Sequence, residues 1–274
     1  MIPAPFDYLR ADSIDAATAA LVEHGDEAKL LAGGMSLLPL MKLRLAVPGV
    51  LVDVGRLDDL RYVRDAGDHL AIGALTRHRD LEIDATLTAG CGVVRAVAAE
   101  VGDNQVRHRG TIGGSVAHGD PASDLPAVLL ALDATFVARG PAGERTIAAT
   151  DFFTGFLETA LAPDELLTEI RVPKTGANGF SYQKFNRRAQ DWAIVGALAA
   201  RVHGATHVTL VNMGATPLRA SGVEAALASG ATPEDAAQHA ADGTEPSADL
   251  NASIEYREHL ARVLTRRALE AATA

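Results

Sequence analysis

The chain has 274 residues, of which 48% are hydrophobic and 22% charged, with a net charge of −10; this is the composition of a globular chain long enough to bury more than one core. The acidic balance argues against a general nucleic-acid or anionic-membrane binder, which carries a basic footprint. The single cysteine, Cys91, leaves no intrachain disulfide and no Cys-rich zinc or iron–sulfur motif in these residues, no apolar run approaches the ~20 residues of a membrane span, and the first residues lack the basic and apolar regions of a signal peptide, so the expected location is cytoplasmic.

In chain order, Ser13 is a good N-cap for a helix over residues 13–24, with Asp15 in its first turn and Gly25 where a C′ glycine belongs. The apolar run 28–32 predicts a buried strand that delivers the chain into Gly33-Gly34. Ser36 is then placed to cap a helix with Leu37, Leu40, Met41 and Leu45 as its apolar positions, and 50–54 predicts a second strand. Residues 13–54 thus form a helix, strand, glycine loop, helix, strand unit of the kind that builds parallel sheets. Residues 69–75 predict another strand, with Thr76 as the cap of a short helix to Ile83, and a longer helix is expected over 87–101. A second glycine loop, Thr111-Ile112-Gly113-Gly114-Ser115, leads to a helix that opens near Ser123 and ends near Asp133. Residues 134–138 and 144–148 predict an antiparallel hairpin, and 165–172 a strand closed by Pro173. The compositional break over 174–179 is the expected domain boundary. Beyond it, strands are expected over 180–187, 197–202 and 206–213, then helices over 221–229, 233–241 and 253–270.

Two adjacent glycines let the main chain approach a ligand closely or take positive φ, and a backbone that opens into a helix binds phosphate without lysines. Ala32-Gly33-Gly34-Met35-Ser36 and Thr111-Ile112-Gly113-Gly114-Ser115 share this grammar. Either pair alone is read equally well as a tight turn; together they suggest two clamps on one extended ligand. Neither is G-x-G-x-x-G, and neither ends in Lys-Ser or Lys-Thr, so nicotinamide and P-loop nucleotide domains are unsupported. Asp120 is expected to fix the turn before Pro121. Asp124 either caps the next helix or, being repelled by a pyrophosphate, accepts hydrogen bonds from sugar hydroxyls. His108 and His118 have no metal-ligand spacing and read as solvated loop residues, Cys91 as a buried inert thiol. The segment Lys184-Phe185-Asn186-Arg187-Arg188 with Asp191-Trp192 is either an exposed strand edge or a face for a ring or a partner.

The run Ala32-Gly33-Gly34-Met35-Ser36-Leu37-Leu38-Pro39-Leu40-Met41-Lys42-Leu43-Arg44, the motif Thr111-Ile112-Gly113-Gly114-Ser115 and Asp120-Pro121-Ala122-Ser123-Asp124-Leu125-Pro126, in this order and followed by residues 165–173 and 184–192, resemble the FAD-binding medium subunits of molybdenum hydroxylases. That group includes aerobic carbon monoxide dehydrogenase and, more widely, xanthine dehydrogenase. Met35 and Ser115 stand where carbon monoxide dehydrogenase subunits usually have His and Asn.

The resemblance covers nearly the whole chain. It implies an α+β protein with a vanillyl-alcohol-oxidase-type FAD-binding domain over 1–176, in two α/β subdomains of about 1–56 and 57–176. A C-terminal α+β domain with a small antiparallel sheet follows over 177–274. It implies non-covalent FAD held by Ala32, Gly33, Gly34, Met35, Ser36, Thr111, Ile112, Gly113, Gly114 and Ser115 at the pyrophosphate, with Asp124, Leu167 and Lys184 as further contacts. No residue of this chain is expected to be catalytic or to ligate a metal. The expected partners are a small subunit carrying 2Fe-2S clusters and a large molybdopterin subunit, assembled as a dimer of heterotrimers; nucleic acid is not among them. A free-standing flavoprotein oxidase or reductase, and a non-catalytic nucleotide-binding scaffold, are the alternatives.

Overall fold

The computed structural model describes residues 2–272. Strands β1 (Asp7–Arg10), β2 (Ala28–Leu31) and β3 (Val50–Asp53) form a parallel sheet in the order β1-β3-β2. The helix Ile14–His24 connects β1 to β2. Ser13 caps it by accepting from the Ala16 N–H at 3.0 Å, and Gly25 ends it at φ +51°. Ala17 and Leu21 on its inner face pack with Val50 and Val52 in one core. Parallel strands cannot be joined by a tight turn, so a helical crossover of this kind is the required connection.

The next strands are β4 (Val63–Asp65), β5 (His69–Gly73), the hairpin β6 (Thr135–Gly140) and β7 (Gly143–Ala148), a small ribbon of β8 (Phe153–Gly155) and β9 (Glu158–Thr159), and β10 (Leu166–Pro173). Five of these make an antiparallel sheet in the order β4-β5-β10-β6-β7. A series of helices between β5 and β6, from His78–Ile83 to Asp124–Ala131, contributes Leu81, Val94, Val97, Ile112, Leu125 and Leu129 to the core that this sheet closes.

A third sheet runs β11 (Phe180–Phe185), β12 (Val195–Val202), β13 (Ala205–Val211) and β14 (Leu218–Arg219), antiparallel throughout. Almost every residue of β12 is buried, because both of its faces are covered. Leu198, Ala200 and Val202 join the core of the central region, while Val195, Ala197 and Ala199 pack with Leu260, Leu264 and Ala268 of the helix Ile254–Ala272. Arg257 on that helix is 2% exposed; its guanidinium donates to the Ile194 carbonyl and pairs with Asp249 at 2.8 Å.

Several local expectations are corrected. Thr76 does not cap a helix: its hydroxyl donates to the Tyr62 carbonyl at 3.0 Å and accepts from the Tyr62 N–H, and the helix starts at His78 behind Arg77. The helix expected over 87–101 is two helices, Ala85–Gly90 and Gly92–Ala98, broken at Cys91. At the break the Gly92 N–H donates to the Gly176 carbonyl at 2.9 Å, and a Cβ on Gly92 would stand 2.6 Å from the Ala177 carbonyl oxygen. The close approach of 176–177 therefore cuts a pattern that looked continuous. The helix after Ser36 stops at Lys42, the Ser36 hydroxyl makes no cap, and Leu45 lies beyond the helix, exposed. Residues 104–109 form a helix that periodicity did not suggest, capped by Asp103.

Candidate functional site

β2 ends at Leu31 and the chain turns through Gly33 and Gly34. Gly34 has φ +75°, a left-handed conformation that suits glycine. At Gly33 the reason is different: a Cβ there would overlap the Arg109 carbonyl and stand 2.9 Å from the Gly110 Cα. The N–H groups of Gly33, Gly34, Met35 and Ser36 have no acceptor among the described residues. Four successive unpaired donors in a turn form a concave anion-binding surface.

The second motif is built differently from its expected form. Thr111 is the N-cap of a helix, Ile112–His118, so Gly113 and Gly114 occupy its first turn and are not a loop. The Thr111 hydroxyl accepts from the Gly114 N–H at 3.2 Å, the Gly113 N–H donates to the Ala74 carbonyl at 2.8 Å, and the Ile112 N–H to the Thr76 carbonyl at 3.0 Å. Ser115 N–H donates to the Thr111 carbonyl at 3.0 Å. A Cβ on Gly113 would lie 2.6 Å from the Ala74 carbonyl oxygen, so this glycine lets the helix seat on the segment after β5. The motif therefore brings hydroxyls and glycine surface to a ligand, and four of its five N–H groups are already spent.

The two motifs face a common cavity of about 980 Å³. Ala32, Gly33, Gly34, Met35, Ser36, Thr111, Gly113, Gly114, Ser115, Asp124, Leu167 and Lys184 all contribute to its wall. Ile112 does not: it is fully buried in the central core, because its position on the helix points away from the wall its neighbours form. Leu167 sits where the pairing of β10 with β6 shifts register between Leu167 and Glu169, and such a bulge re-aims side chains.

Asp124, the first residue of its helix, is 4% exposed. Its Oδ1 accepts from the Tyr182 hydroxyl at 2.5 Å and its Oδ2 from Lys184 Nζ at 2.8 Å; Lys184 Nζ also donates to the Glu100 carbonyl at 2.9 Å. Tyr182 and Lys184 are alternate residues of β11 and so share one face of that strand. Burial pushes the Asp124 carboxyl up, with Lys184 and the Tyr182 hydrogen bond opposing it. Burial and the neighbouring carboxylate raise the Tyr182 phenol well above its usual range, so it remains a neutral donor. The side chain of Lys184 is 5% exposed. It is a buried ammonium held at the wall by a carboxylate and a carbonyl.

Asp120 holds the turn before this helix, accepting from the Ala122 N–H at 2.8 Å. His108 is exposed, with Nδ1 2.6 Å from the Asn104 carbonyl, whereas His118 ends its helix on the cavity wall. Cys91 is buried, and burial raises its thiol. Trp192 is 67% exposed and borders the cavity. Sequence reasoning missed His78, Val101, Val106 and Gly110, which line the wall between the two motifs. Only the tight spacing of Gly110 against the second motif could have hinted at them.

The first-motif turn, shaped by glycine and rich in free donors, meets the requirement for a dinucleotide pyrophosphate, and the size of the cavity suits the rest of such a ligand. Residues 4–175 match the family described as the FAD binding domain in molybdopterin dehydrogenase, and residues 180–272 the CO dehydrogenase flavoprotein C-terminal domain. The chain belongs to this family of FAD-binding oxidoreductase subunits. Within it, the chain is 41% identical to the carbon monoxide dehydrogenase medium chain of Hydrogenophaga pseudoflava, over all of this chain and 99% of that one. It is 36% identical to the glyceraldehyde dehydrogenase medium chain of Sulfolobus acidocaldarius, covering 98% and 99%. The solved carbon monoxide dehydrogenase from Hydrogenophaga pseudoflava superposes with a TM-score of 0.95 over all of this chain and 99% of that chain. It is thus an α+β medium subunit of the molybdenum hydroxylases, of the carbon monoxide dehydrogenase kind.

Proposed function

We propose that this chain is the electron-relay subunit of a multi-subunit molybdenum hydroxylase, binding FAD non-covalently in the cavity between its two glycine motifs. The observation that carries this is the run of four unpaired N–H groups from Gly33 to Ser36, in a turn that only glycine can follow. FAD supplies a two-electron store that is filled one electron at a time and emptied to an external acceptor.

The turn from Ala32 to Ser36 holds the pyrophosphate, with the Thr111 and Ser115 hydroxyls and the Gly113-Gly114 surface on the other side. Lys184, fixed by Asp124 and Glu100, presents positive charge to the ligand, and Leu167 covers it with apolar surface. Both Asp124 oxygens are engaged by Tyr182 and Lys184, so Asp124 acts first through Lys184 and has only its remaining lone pairs for a sugar hydroxyl. A large partner would hold the molybdenum centre that oxidises the substrate, and a small one the 2Fe-2S clusters that would supply electrons to this chain, in a dimer of heterotrimers in the cytoplasm. The lone, buried Cys91 fits that division of labour, since this chain offers no thiolate set for a cluster. The FAD-binding unit ends near residue 176.

The test is reconstitution of the full chain with FAD followed by absorbance spectroscopy, together with metal analysis of the natively isolated complex. Flavin bands, iron, molybdenum and two further chains are expected. Absence of flavin bands after reconstitution sinks the relay; a flavin-loaded native preparation without metals or partners points to a free-standing flavoprotein.

A further inference from the structure

We propose that His78 is a ligand-contact residue of this cavity, its imidazole donating a hydrogen bond to the adenosine diphosphate half of FAD. The proposal rests on the reading that the cavity holds FAD. His78 is the first residue of the helix His78–Ile83, is 4% exposed and lies on the cavity wall. Neither ring nitrogen has a hydrogen-bond partner among the described residues, and Nδ1 is fully buried. Nδ1 is enclosed by protein, which leaves Nε2, without a partner and not enclosed, as the nitrogen that can meet a ligand in the cavity.

Its position identifies the part of the ligand. The His78 N–H donates to the Gly110 carbonyl at 3.0 Å. A Cβ on Gly110 would stand 2.8 Å from the imidazole Cδ2 and 3.1 Å from Nε2. The preceding residue, Arg109, is the one whose carbonyl presses on Gly33. The imidazole therefore lies at the seam where the two glycine motifs meet. Val106, whose carbonyl lies 3.1 Å from the same Cβ position on Gly110, and Gly102 beside it continue the wall with apolar surface suited to a flat base.

Donor supply makes the same assignment. The first motif offers four free N–H groups, whereas Ile112, Gly113, Gly114 and Ser115 offer none. A dianionic pyrophosphate clamped between them has few donors on the second side: hydroxyls, the Thr111 N–H and His78. Burial, with the nearby Arg107 charge adding, lowers the His78 pKa to about 4. At neutral pH the ring is uncharged, with one N–H to give and one lone pair to accept.

Calorimetric titration of the FAD-free full chain with FAD, ADP and FMN tests this. His78→Leu is expected to weaken FAD and ADP about 10- to 100-fold, with His78→Gln retaining most of the affinity and FMN, which lacks the adenylate, binding all three proteins alike. A folded Leu variant that binds ADP as the wild type does overturns the proposal. Should that variant not fold, nitrogen-15 spectra of histidine-labelled wild type decide: ADP must move the His78 ring resonances, and resonances unmoved at saturation overturn the assignment. A wild type that binds neither FAD nor ADP defeats the underlying reading instead, which separates the two failures.

Discussion

At the scale of single residues, the wall of the cavity is made of groups whose chemistry is set by burial. Lys184 and Asp124 are adjacent in space and sixty residues apart in sequence. Each would be costly to bury alone, and each is tolerable because the other is there. His78 follows the opposite course and stays neutral. Its folded pKa, about 4, lies below the ordinary 6.5, so between those values the unfolded chain binds a proton that the folded chain refuses. The stability tied to His78 is therefore complete above pH 6.5 and is lost as the pH falls toward 4, by at most about 3 kcal/mol. Denaturant titrations of wild type and His78→Gln from pH 7 to pH 4 should show a steeper acid loss in the wild type; parallel curves would refute it. None of this was visible in the sequence, where His78 was one of nine histidines.

At the scale of elements, the two glycine motifs look alike in sequence and differ in structure. The strand-end turn at Gly33-Gly34 keeps its donors, and the helix start at Gly113-Gly114 consumes them. What joins them is the end of the helix Asn104–Arg109, whose last carbonyl occupies the space of a Gly33 side chain. Gly33→Ala should accordingly displace backbone, lowering stability by about 1–3 kcal/mol and weakening FAD at the same time. Gly114→Ala meets only the Thr111 hydroxyl, at 2.8 Å, and should cost less. The midpoints of denaturant unfolding for the two variants make the comparison, and equal midpoints would show that the Arg109 contact yields freely.

At the scale of the whole molecule, the cavity takes its walls from the parallel sheet region, the central antiparallel region and the third sheet, through residues such as Leu30, Leu166 and Lys184. A ligand bound there links all three. FAD at about 100 times its dissociation constant should stabilise the folded chain by roughly 2.7 kcal/mol, raising the melting temperature by several degrees, in proportion to the logarithm of its concentration. Scanning the full chain over a series of FAD concentrations checks this; a melting point indifferent to FAD would show that the folded chain does not bind it. No helix among the described residues is long and apolar enough to cross a membrane.

The sequence by itself determined the elements whose signals are local. Ser13 and Gly25 bracket a helix, turn residues bracket the hairpin of β6 and β7, and the runs that became β10, β12 and β13 are rich in apolar and β-branched residues. The order of its two glycine motifs also sufficed to identify the family. Tertiary structure decided what depends on residues distant in the chain: the break at Cys91 imposed by 176–177, the diversion of Thr76 to Tyr62, the burial of Ile112, and the pairing of Asp124 with Tyr182 and Lys184. The physical reason is that a cap or a turn is satisfied within a few residues. A buried charge, a close backbone approach or an orphaned imbalance of donors exists only once segments scores of residues apart have been brought together.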